Sequence, residues 1–146
     1  MDKTSKIDKL LKIKEFRRKK AESEVVSAKG TVQSARLAYS QAVETQNQVI
    51  DTAAQRRSKR IQKLLTDPEN ANLDSSRIVN VYQQTKLEIV KAVEETVDRK
   101  QQVSQATQFL SDKQQELARF LQKEERTRNL RDRLEVQIRS EKLRAE

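Results

Sequence analysis

The sequence predicts an all-α protein, a long antiparallel two-helix coiled-coil hairpin. Three observations carry that expectation. One Gly and one Pro in 146 residues leave almost no turn chemistry, while the abundant Ala, Leu, Glu, Lys, Gln and Arg are strong helix formers. Apolar residues recur at alternating steps of three and four in both halves, the rhythm of a coiled-coil seam. The one strong break, at Pro68, falls near the midpoint, and two helices of similar length joined by a short turn fold back on each other. A charged fraction of 36% with 3% aromatic residues also describes chains too polar to bury a core, so disorder of the isolated chain is the rival reading.

The whole chain, residues 1–146, reads as one hairpin. The first helix is expected over about residues 5–65 and the second over about 75–143, with residues 66–74 as the turn. In helix 1 the seam runs through Val25, Ala28, Val32, Ala35, Tyr39, Ala42, Gln46, Val49 and Ala53. In helix 2 it runs through Tyr82, Ile89, Ala92, Thr96, Val103, Ala106, Leu110, Leu117 and Phe120. Leu130, Leu134 and Ile138 then step by four, so the seam is expected to drift around the helix. Many of these positions are Ala, Thr or Gln, which makes the seam thin. Gly30 costs about 1 kcal/mol in a helix relative to Ala; it marks a bend or a close packing contact.

In the stretch TDPENANLDSS, Pro68 forbids a continuous helix, and Asn70, Asn72 and Asp74 are turn formers. Asp74 suits an N-cap, with Leu73 and Ile78 placed as a hydrophobic staple. At 1.5 Å per residue each helix would be about 90–105 Å long, a rod in which position i faces roughly 140 minus i. Residues 5–20 then lie beside about 120–135. The last ten or so residues have no partner and are expected to fray.

The net charge of +9 is sorted along this hairpin. Residues 1–20 sum to +6, residues 119–146 to +3 and residues 55–63 to +5, while 21–54 and 64–118 sum to −2 and −3. Folding back gathers the two terminal basic segments, and like charges brought together weaken a hairpin unless a partner uses them. Solvated helix surface is the bland account of most single Lys or Arg residues. Clustering at one end invites an acidic partner.

Chemistry is harder to find. Without Cys there is no disulfide or thiolate, and without His the commonest metal ligand and general base are missing. One Gly cannot build a phosphate loop. The adjacent carboxylates Glu94–Glu95 and Glu124–Glu125 point about 100° apart on a helix, so they read as exposed salt-bridging residues. No apolar run exceeds three residues, which excludes a membrane-spanning helix and a signal-peptide core. The expectation is a protein that is cytoplasmic, or exported by a route that needs no cleaved signal, that is not an enzyme and that needs no cofactor.

Three passages carry a resemblance. The opening L-x-I-K-x-x-R-x-x-x-A-E-x-x-V, here Leu11, Ile13, Lys14, Arg17, Ala21, Glu22 and Val25, resembles the N-terminal helix of the YscO family of type III secretion proteins, relatives of the flagellar export protein FliJ. VNVYQQTKLEIVKAVEE, with Tyr82, Gln83, Gln84, Lys91, Ala92 and Glu94, is similar to the start of the second helix in FliJ-type members. KEERTRNLRDRL, residues 123–134, is similar to a late segment of YscO-type helix 2. Several YscO-type members continue into a strongly acidic tail, whereas here RDRLEVQIRSEKLRAE stays mixed.

The resemblance implies an injectisome stalk, similar to the central coiled coil of a rotary ATPase. Its terminal end would enter the hexameric type III secretion ATPase, and the rest would reach the cytoplasmic domain of the export-gate ring protein at the cytoplasmic face of the apparatus. Export chaperones are further implied partners. On this reading Lys9, Lys12, Lys14, Arg17, Arg18 and Lys20, with Arg126, Arg128, Arg131 and Arg133 opposite, line the ATPase contact. Leu10, Ile13 and Phe16 supply its apolar anchors. The gate contact falls on Tyr82, Thr85, Ile89, Ala92 and Thr96; flagellar members carry an aromatic residue in place of Thr85. Ile89, Ala92 and Thr96 fit the seam equally well, and Tyr39 and Tyr82 fit it better than they fit a contact. A nucleic-acid-binding coiled coil and a membrane-surface adaptor are the alternatives. Phe16 and Phe120 are the only aromatics in the basic segments, too few for a stacking platform, so no nucleic acid is expected, and no direct membrane insertion.

Overall fold

The computed structural model describes residues 3–67, 69 and 75–145. It is an all-α, coiled-coil-like hairpin of two helices packed against each other, α1 (Lys3–Thr66) and α2 (Ser75–Ala145). Both use residues of high helix propensity, and no described residue has a positive φ. At the end of α1 the Thr66 hydroxyl donates back to the Gln62 carbonyl at 3.0 Å, and Lys63 lies in the last turn, where a cation suits the helix dipole. The Asp67 carboxylate then accepts the Glu69 N–H at 3.0 Å, a local turn that competes with further helix. Pro68, Asn70, Asn72, Leu73 and the expected cap Asp74 lie outside the described residues.

Contacts divide the hairpin into two units, residues 1–32 with 106–146 and residues 33–105. In unit 1, α1 buries Leu11, Ala21, Val25, Ala28 and Val32, while Glu124 and Thr127 are the buried residues of α2. Cross-helix pairs fix its register: Arg18 with Glu124, Glu24 with Lys113, Glu15 with Arg128 and Asp8 with Arg131. Each pair sums to within three of the expected 140. In unit 2 the buried residues are Ala53, Val81 and Thr85. There Thr96 shares its hydroxyl proton between its own Ala92 carbonyl at 3.0 Å and the Ala42 carbonyl of α1 at 3.3 Å. Such a cross-helix bond requires close backbones, which the Ala and Thr layers allow.

The seam departs from the apolar reading at three places. Tyr82 is 49% exposed, and Val81 takes the buried position. The preceding step of three from Ile78 and the following step of four to Thr85 place Val81, not Tyr82, on the face toward α1. Leu130 is half exposed as well. Instead of drifting, the seam keeps its 3–4 rhythm through Leu117, Phe120, Glu124, Thr127 and Arg131 to Leu134 and Ile138. Glu124, expected at the surface, is 2% exposed. The heptad was uninterrupted, but charged residues occupy it.

Two smaller expectations also change. α2 stays helical to Ala145; an α-helix satisfies its backbone hydrogen bonds internally and needs no neighbour to keep its geometry. A Cβ built on Gly30 would meet nothing within 4 Å, which removes the close-packing account of that glycine.

Candidate protein-interaction site

Unit 1 combines an internal ion cluster with an exposed apolar and basic surface. At its centre Glu124 meets the Arg18 Nε at 2.6 Å and the Arg128 Nη2 at 2.7 Å. The Arg18 contact is short but not aligned as a linear N–H···O bond, leaving Glu124 Oε2 and Arg18 Nε without hydrogen-bond partners; its attraction is mainly coulombic. Arg18 also donates to Glu22 at 3.0 Å. That bond chiefly, against partial desolvation and with help from Glu124, raises the Arg18 pKa above its ordinary value. Arg128 reaches Glu15 at 3.5 Å, and Arg131 lies 3.8 Å from both Asp8 and Asp132.

These contacts sort the thirteen residues expected at an ATPase contact. Arg18, Arg128 and Arg131 are drawn into internal ion pairs, so much of their charge is compensated. Lys12, Lys14, Arg17, Lys20, Arg126 and Arg133 have no ion pair among the described residues. Lys9 is exposed and already has an interaction partner. Leu10, Ile13, Arg17 and Lys20 step by three and four along one side of α1. Arg17 and Lys20 line a groove there with Ala21, Glu24, Glu116 and Phe120. Leu10 and Ile13 remain about half exposed, and Phe16 is 70% exposed on the side of α1 turned away from α2. Arg126 and Arg133 are exposed on α2. The structure thus gathers Leu10, Ile13, Arg17 and Lys20 on one strip, sets Phe16 on another, and engages three arginines in ion pairs within the hairpin.

The residues expected at a gate contact lie in unit 2 and divide differently. Thr85 is 2% exposed, and its hydroxyl is returned to the Val81 carbonyl at 2.9 Å. Ala92 and Thr96 are half-buried in the seam, and Ile89 is half-buried at its margin. Tyr82 alone is well exposed, with the Arg57 guanidinium 4.6 Å from its ring centroid. Beside it Glu88 holds two arginines of α1, Arg56 and Arg60, the latter at 2.7 Å. The Arg60 hydrogen bond is the largest cause of a Glu88 pKa below the usual carboxylate range.

Sequence reasoning missed the acids Glu15, Glu22, Glu88 and Glu124, because charged residues carry no apolar signal. Their signal was position: Glu88 and Glu124 continue the heptad, and Glu22 stands four residues after Arg18. The described residues include no group of His, Cys, Asp and Glu suited to a metal ion. No described helix is long and apolar enough to cross a membrane. What the surface offers is contact: apolar anchors among uncompensated cations. Comparison with protein-family models, curated proteins and solved structures finds no match to this chain.

Proposed function

We propose that this chain is a central stalk protein of a type III secretion ATPase complex of the injectisome kind. Unit 1, which carries both terminal segments, engages the ATPase hexamer. Unit 2 links to the export gate, and the chain escorts export chaperones. It acts by contact and coupling. The passages resembling YscO and FliJ suggest this role, and the hairpin architecture is compatible with it. One observation carries it: Leu10, Ile13 and Phe16 stay exposed among Lys12, Arg17 and Lys20, although the seam beside them is complete without them. A hairpin serving only its own stability would not place apolar anchors and unpaired cations together. At the gate, Tyr82 and the margin of Ile89 are available, while Thr85 is buried.

The test is stimulation or hexamer assembly of the secretion ATPase on mixing with this protein. Charge reversal at Lys12, Arg17 and Lys20 together is expected to abolish the effect while circular dichroism stays unchanged. Arg18 is left intact, because Arg18→Glu would set a second carboxylate against buried Glu124. Full stimulation by the triple variant would overturn the proposal. Retarded nucleic acid at about 150 mM salt, lost in the same variant, would favour the phosphate-binding alternative.

A further inference from the structure

The two sides of unit 2 differ in chemistry. On one side a groove is lined by Ala38, Gln41, Thr45, Glu95 and Arg99 among others, with Arg99 paired to Glu95 at 2.8 Å. That side is polar and internally neutralised. On the other side two adjoining grooves meet at Tyr82 and Arg57. One is completed by Ala54, Ser58 and Ile61 of α1, the other by Gln83, Lys86, Ile89 and Val90 of α2. Neither is lined by a carboxylate.

Helix periodicity extends this second side. On α2, Val79, Tyr82, Lys86, Val90, Val93 and Val97 follow at steps of three and four, so they form one stripe along the helix. Val79 and Val97 are half exposed or more, and Val93 is partly exposed. On α1, Ile50, Ala54, Arg57, Ile61 and Leu65 follow the same rhythm. The contact between Arg57 and the Tyr82 ring joins the two stripes into one face. Its charged members are cations: Arg57 and Lys86 have no ion pair among the described residues. Unit 2 is not short of acids, but Glu88 is held in the seam by Arg56 and Arg60, and Glu95 lies on the opposite side.

We infer that this face of unit 2 is a docking groove for an acidic amphipathic helix of a partner protein. Two parallel apolar stripes beside a shallow groove are what a third helix needs to seat its own apolar ridge. Arg57 and Lys86 ask for Asp or Glu on the flanks of that ridge. A second copy is the poorer occupant, because a two-fold pairing across the same face would bring four cations together and supply no acid. The inference shares Tyr82 and Ile89 with the proposed gate contact, and it stands whether or not unit 1 engages an ATPase.

The test uses the full chain and two labelled 18-residue helical peptides that share a Leu heptad ridge, one flanked by Glu and the other by Lys. The Glu peptide is expected to bind, measured by fluorescence anisotropy, at least about tenfold more tightly than the Lys peptide, with weakening as salt rises. Arg57→Glu with Lys86→Glu should erase that preference. Val93→Ser with Val97→Ser should weaken the Glu peptide about tenfold while leaving the helical signal intact. Leu10→Ser with Ile13→Ser, on unit 1, should leave binding unchanged. Equal binding of both peptides, no binding, or loss only in the unit 1 variant would each overturn the inference. Sedimentation showing a dimer that Val93→Ser and Val97→Ser dissociate would overturn it in favour of a second copy. Attachment to anionic vesicles lost in those variants, without peptide binding, would overturn it in favour of a lipid surface.

Discussion

Glu124 in unit 1 and Glu88 in unit 2 occupy the same kind of place: a seam position on α2 where two arginines close around a carboxylate. They differ in access to water. The Glu124 side chain is 3% exposed and draws one arginine from each helix; that of Glu88 is 28% exposed and takes both of its arginines from α1. Each carboxylate meets two guanidinium groups, but only at Glu124 has nearly all solvent been removed. The same ion-pair chemistry should therefore be indispensable in one unit and marginal in the other, because loss of one partner hurts most where water cannot replace it.

Glu124→Ala is the strongest challenge to that contrast. It should destabilise unit 1 by about 2–3 kcal/mol in denaturant melts, somewhat below the loss for a fully enclosed pair because Arg18 keeps Glu22. A cost no larger than that of Glu88→Ala would end the distinction. Next comes the seam assignment: Val81→Ala should cost roughly 1–2 kcal/mol and Tyr82→Ala much less, and the reverse order would return Tyr82 to the seam.

Glu88→Ala follows, at about 1 kcal/mol. Its pH dependence sharpens the comparison. Arginine contacts hold the Glu88 pKa below its unfolded value, so its contribution is complete above the unfolded pKa of about 4.3. It is lost as pH falls through the folded value, where the unfolded chain binds the proton more readily. Wild type should therefore lose melting temperature on acidification more steeply than Glu88→Gln. The smallest effect is Gly30→Ala, expected to stabilise by up to about 1 kcal/mol, since its Cβ enters open space.

These residues also show what could be read in advance. The helical hairpin was legible because helix formers, a 3–4 period and one central break all agree. The middle of the α1 seam was legible too: Val25, Ala28, Val32 and Ala53 are buried. Misreading began where apolarity and position disagree. Tyr82 and Leu130 are apolar in sequence but turned outward, whereas Thr85 and Glu124 are polar and turned inward. Hydrophobic periodicity finds a seam by its side chains and loses it where the occupants are charged. For the interaction surface, Leu10, Ile13 and Phe16 were the apolar anchors that the resemblance implied, and they are exposed. That Arg18, Arg128 and Arg131 would pair with acids of the chain itself was not legible, because pairing across the hairpin needs the register to within a few residues.

The Arg18–Glu124 contact also decides which way the strands cannot slip. Sliding α2 by one heptad in one direction would set Arg18 against Leu117 and Glu124 against Leu11. The opposite slide would set Arg18 against Arg131 and Glu124 against Val25. Either step strands a charge in an apolar layer or confronts two cations. A longitudinal pull on one strand of unit 1 is thus met by a tooth rather than a greased rail, and motion there passes to the other strand without lost travel.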